Sequence, residues 1–133
     1  MLRWLRRRGA GRPGPLTGAP EIRRTKTYPA ASGYVYEYVY EGRRATREGV
    51  EYVFSASTGR APAFPVSVVV PDAALEAWQA PHGREFSDAE RYAIAKLALR
   101  QAFDDREYPG LLHAGVRVAP GDIETIAHVL GLD

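Results

Sequence analysis

The stretch Gly33-Tyr34-Val35-Tyr36-Glu37-Tyr38-Val39-Tyr40-Glu41-Gly42 decides how the chain is read. Tyrosine recurs at every second position. Neighbouring side chains on a β-strand point to opposite faces, so a strand gathers all four tyrosines on one side. Val35, Glu37, Val39 and Glu41 then fall on the other. A helical period produces no such segregation, and glycine brackets both ends. The segment reads as a strand with one aromatic face.

Two further stretches repeat this parity. Val50, Tyr52 and Phe54 alternate with Glu51, Val53 and Ser55, and Phe64, Val66, Val68 and Val70 alternate with Pro65, Ser67 and Val69. Residues 43–49 make a polar connection of hairpin length, and residues 57–62 make a second turn. Pro65 marks an edge strand or a point where pairing begins only after it. Upstream, Ile22 to Tyr28 reads as an additional edge strand, stopped at Pro29. An antiparallel sheet with one packed and one wetter face has this pattern.

Helices follow. Pro71-Asp72 opens a short one to about residue 79, with Leu75 and Trp78 three apart and facing inward. Ser87-Asp88-Ala89-Glu90 fits a capping box and starts a helix to about Asp105. Tyr92, Ala95, Leu99, Ala102 and Phe103 give that helix an apolar stripe, broadened by Ile94, Leu97 and Ala98, wide enough to lie across a sheet. Val116 to Val118 reads as a brief strand. Pro120 begins a last helix carrying Ile123, Ile126, Ala127 and Leu130, with Gly131 after it. The expected architecture is α+β. It has an antiparallel three- to four-stranded sheet with helices on one face, in the order β-β-β-α-α and then a C-terminal helix. The helices are expected to cover the tyrosines.

The chain of 133 residues suits one domain with a single core. Its net charge of +2 conceals a division. Residues 1–26 hold eight basic side chains against Glu21 alone, whereas the remainder carries ten basic and fifteen acidic ones. Residues 1–21, rich in Gly, Pro and Arg, read as a flexible arm, because they offer too little apolar surface to offset ordering entropy. Residues 22–133 read as the α+β domain. All but two of the basic residues are arginine, a bias that fits a GC-rich bacterial genome.

Several chemistries have no foothold. There is no cysteine, so disulfide and thiolate chemistry are excluded, and a reducing cytoplasmic setting is the natural expectation. No apolar run is long enough for a transmembrane segment, and the arm lacks the apolar stretch of a secretory signal. Peripheral membrane contact is not expected. No phosphate-cradling loop, dinucleotide fingerprint or nucleophile elbow occurs. His82, His113 and His128 have no metal-ligand spacing, and the acids at Asp104, Asp105 and Glu107 read as a solvated helix end. No cofactor and no metal is expected.

Three functional readings remain. The first is a small non-catalytic protein acting through macromolecular contacts, with a protein partner or a homodimer held by the valine strip Val35, Val39, Val53 and Val69. The second is a nucleic-acid-associated protein. Its polyanion contacts would be Arg3, Arg6, Arg7 and Arg8 of the arm, joined by Arg43, Arg44 and Arg47. The third is an enzyme using the loop pair His82 and Glu85 as acid and base. A stacking platform for bases on the tyrosines is disfavoured, because those rings are needed for the core.

Overall fold

The alternation of tyrosine and polar residues folds into the second strand of a sheet. The computed structural model describes residues 14–133. The sheet is built from β1 (Lys26–Pro29), β2 (Val35–Ala45), β3 (Gly49–Thr58), β4 (Phe64–Pro71) and β5 (Val116–Arg117). Among the described residues three α-helices accompany it: α1 (Asp72–His82), α2 (Asp88–Asp105) and α3 (Pro120–Val129). A 3-10 turn, Pro109–Ala114, leads into β5.

The α+β class is as read, but the sheet is larger and mixed. Five strands lie in sequence order, β1 to β5, rather than three or four. The first three pairings are antiparallel, and β4 pairs with β5 in parallel. The chain passes through α1, α2 and the 3-10 turn before returning to the free edge of β4. Such a crossover brings a strand back in the same direction. β5 touches only Val68 and Val69, so Pro65 stands where β4 has an open edge. The missing proline N–H therefore costs no ladder bond to a further strand.

The tyrosine face is the core face. Tyr36 and Tyr38 are buried together with Tyr52, Phe54, Ala56, Val66, Val68 and Val70. The helices bring Leu75, Trp78, Ile94, Leu99, Phe103, Ile123 and Ile126 to the same cluster. Tyr36 stacks on Phe103 with centroids 4.0 Å apart and planes 6° apart. Tyr34 is the exception: it precedes β2 and is exposed.

The acidic end of α2 has a structural task. Asp104 accepts from Tyr28 Oη and from the Ala31 N–H, both at 2.8 Å. Ser32 Oγ donates to the Phe103 carbonyl at 2.7 Å. The β1–β2 turn is thereby tied to the helix terminus. At the other end of α2, Ser87 and Glu90 form the capping box read from the sequence.

One irregularity shapes the functional surface. In β2, Tyr40 pairs with Phe54 and Gly42 with Val53, so Glu41 is an extra residue and the register shifts there. Such a bulge exchanges the faces of all later side chains in the strand. Arg43 lies opposite the buried Tyr52, on the core face, and Arg44 lies opposite Glu51, on the other. Gly42 has φ 133°, and a Cβ there would stand 2.9 Å from the Thr17 carbonyl oxygen. Thr17 itself exchanges two backbone hydrogen bonds with Arg43, each 2.8 Å. Residues 16–18 thus lie against the β2 edge beyond β1. Gly42→Ala combines a strained φ with a backbone clash, so it should destabilise folding by about 1–3 kcal/mol. A urea midpoint indistinguishable from wild type would show that the bulge tolerates a side chain.

Candidate anion-binding groove

The extended segment before β1 alternates in the same way as the strands. Pro20, Ile22, Arg24 and Lys26 line one side of a groove of about 500 Å³. Arg23, between them, reaches away to Glu41 at 3.4 Å. The floor is β2, through Tyr38, Tyr40 and Arg43. The far wall is the first turns of α2, through Asp88, Ala89 and Tyr92. The groove therefore exists because the bulge keeps Arg43 on the tyrosine face where the arm crosses.

Arg43 is held in place twice. Its backbone pairs with Thr17, and its guanidinium packs against Gly18, where a Cβ would approach Nη1 to 2.6 Å. Gly18 has φ 79°, so both the backbone and the close approach call for glycine. Arg43 also stands beside the Tyr40 hydroxyl. Burial raises the pKa of that phenol, and the guanidinium pulls the other way. Tyr92 is likewise raised by burial. Both rings remain neutral at physiological pH, and the Tyr40 hydroxyl is itself buried, so Tyr40 offers the groove its ring.

The groove gathers positive charge. Among the described residues, Arg24, Lys26 and Arg43 make no ion pair. Lys96 of α2 lies near Lys26 and Arg100, outside the groove lining. Burial lowers the Lys96 pKa, and repulsion from Arg100 and Lys26 lowers it further. Arg100 donates from Nε to Tyr38 Oη at 3.2 Å, and its guanidinium lies 5.2 Å from the Tyr28 ring centroid. Among the described residues that line the groove, Asp88 is the one carboxylate. The N-terminus of α2 is already capped by Ser87 and Glu90, so the cationic character comes from side chains and not from the helix end.

The other expected site residues are dispersed. The bulge separates Arg43 from Arg44, which pairs with Glu51 at 2.6 Å behind the sheet. Arg47 is exposed in the β2–β3 hairpin. Reading residues 43–49 as one connection missed that β2 continues to Ala45. Arg3, Arg6, Arg7 and Arg8 lie outside the described residues. Of the valines, Val35 is 52% exposed, Val39 and Val69 are half-buried, and Val53 is 7% exposed. Val53 pairs with Gly42, over which the Leu16 Cβ sits, so it offers little surface to a partner.

The proposed acid–base pair is not assembled. His82 lies flat on Trp78, centroids 3.8 Å apart, and its Nδ1 donates to the Trp78 carbonyl at 2.7 Å. No hydrogen bond or ion pair joins it to Glu85, and Arg84 turns instead to Glu90. Among the described residues no cluster of three His, Asp or Glu is placed to hold a metal ion. A second cleft of about 370 Å³ lies between α2, β5 and α3. Its polar groups are already engaged: Gln101 bonds Asp105, Arg106 bonds the Leu111 and Gly115 carbonyls, and Arg117 pairs with Glu48.

Behind the sheet, Glu51 accepts from Arg44 Nε and from Ser67 Oγ. Burial by itself would raise this carboxyl, but those two donors outweigh it and hold the pKa below the usual range. A depressed folded-state pKa means that the unfolded chain binds the proton first as pH falls. The contribution is therefore present above the unfolded pKa and is lost as pH falls through the lowered folded value. The stability gap between wild type and Glu51→Gln, read from urea melts, should be widest near neutrality and close in acid. A gap independent of pH would contradict this. Neither a family model, nor a curated protein, nor a solved structure matches the chain, so the functional reading rests on its own residues.

Proposed function

We propose that this is a small non-catalytic protein that acts through contacts with another molecule, holding an anionic group of that partner in the groove. The observation that carries this reading is the convergence of Arg24, Lys26 and Arg43, unpaired among the described residues, on one concavity. The described chain otherwise has more acidic than basic side chains. Like charges brought together repel, and an anion between them relieves that cost. Aromatic walls lower the local dielectric and strengthen each contact.

The reading is tested by thermal melts of the full chain with phosphate-, sulfate- and carboxylate-bearing probes. At least one class should raise the melting temperature, and the rise should diminish with added salt. Arg43→Ala should remove it, whereas Arg47→Ala at the hairpin should not. Equal loss in both variants, or no rise with any probe, would overturn the assignment.

A second reading is favoured by the sheet face opposite the helices. Val35 is half exposed there and Val39 is half-buried on the same strand, while Val69, half-buried, lies towards the other end of the face, in line with Glu51 and Arg44. Apolar surface of this kind supports contact with a protein partner or a second copy. A Val35→Lys, Val69→Lys double variant should lose self-association or partner capture while its circular dichroism stays that of the wild type. Unchanged association in the folded variant would argue against it. Val53 is unsuited to this test because charging a covered position perturbs folding.

A further inference from the structure

We infer that the ligand of the groove is an amphipathic organic anion, with a carboxylate or phosphate-monoester head on an aliphatic or aromatic body. This rests on the groove being an anion site, and it adds what else the ligand must carry.

Three observations point to an apolar body. First, Ile22 is 71% exposed while lining the groove. A large aliphatic side chain left open in a concavity is surface that an apolar ligand would remove from water. Pro20 and Ala89 extend that surface. A hydrated inorganic ion gains nothing from any of these. Second, the volume of about 500 Å³ lies within the range of small-molecule sites.

Third, among the described residues the groove's cations converge and do not form a track. Binding a polymer of phosphates calls for a stripe of basic groups along the surface. Here Arg44, next along β2, is turned behind the sheet and paired with Glu51. The rings that a nucleobase would use are also unavailable for intercalation. Tyr38 is buried, and Tyr40 lies against Tyr92 with centroids 4.7 Å apart. The geometry thus offers one head-group site and one apolar wall. The head sits with Arg24, Lys26 and Arg43, and the body lies along Ile22 and Ala89.

Isothermal titration of the full chain with decanoate, 1-naphthyl phosphate, inorganic phosphate and a thymidine oligonucleotide tests this. The two amphiphiles separate a carboxylate head from a phosphate head. At least one should bind with one site per chain and a negative heat-capacity change, the mark of apolar burial. Inorganic phosphate should bind about tenfold more weakly or worse. Arg43→Ala should weaken the amphiphile about tenfold, as expected for a lost charged contact. Ala89→Phe, which fills the wall from an exposed helix position, should weaken it comparably without touching the cations. Ile22→Ser should do so by removing the apolar contact, and neither position is buried enough to endanger folding.

If phosphate or the oligonucleotide binds in an Arg43-dependent way and neither amphiphile binds more tightly, the amphiphile is wrong and the anion site stands. If the amphiphiles bind but ignore Ala89→Phe and Ile22→Ser, they sit elsewhere and the inference falls. If no probe binds, both the inference and the anion site fall.

Discussion

One extra residue in β2 organises the molecule's two surfaces. Before Glu41, the even-numbered positions of the strand face the helices; after it, the odd-numbered ones do. Without the shift, Arg44 would stand on the tyrosine face and Arg43 behind the sheet. With it, Arg43 joins Tyr38 and Tyr40, and Arg44 meets Glu51 and Ser67 on the opposite side. The positive φ of Gly42 and its lack of a side chain let residues 16–18 close in over the strand edge. The wall of the groove, its central cation and the neutralised back face all follow from that register shift.

The aromatic core makes the arrangement stiff. Tyr36 is stacked on Phe103, Tyr38 packs edge-on to Phe54, and Tyr92 leans on Tyr40. Aromatic pairs of this kind add to the burial of their area about 0.5–1.5 kcal/mol each. The Asp104 carboxylate then fixes the β1–β2 turn against α2. Both walls of the groove are therefore referred to the same helix, one through Asp104 and the other directly. A rigid concavity can present cations and apolar atoms at fixed separation, which is what selecting a head and a body together requires.

The tyrosine strand, the parity of β3 and β4 and the capping box at Ser87 were legible because each is a short-range pattern. Period two needs no knowledge of the partner strand. The bulge was not legible, because it exists only in the pairing of Gly42 with Val53; glycine at 42 was its sole hint and passed as a strand terminus. β5 was legible as a brief strand at residues 116–118, but its parallel place beside β4 was not, because two residues carry no pairing signal. The groove was missed because it joins three segments remote in sequence. One signal was present all the same: Ile22, Arg24 and Lys26 share a parity, as the tyrosines do, and an extended reading of residues 20–26 puts them on one side. Asp104 reads in sequence as part of a solvated helix end because its partners, Tyr28 and Ala31, are more than seventy residues away.

The central claim is that binding takes place on the tyrosine side, at Arg43, and leaves the back of the sheet untouched. Backbone amide shift mapping by NMR during titration with 1-naphthyl phosphate tests it most directly. The account predicts perturbations at Ile22, Arg24, Lys26, Arg43, Ala89 and Tyr92, with Val35, Ser55 and Val69 unchanged. Perturbations centred on Val35, Ser55 and Val69, or spread evenly over the surface, would contradict it.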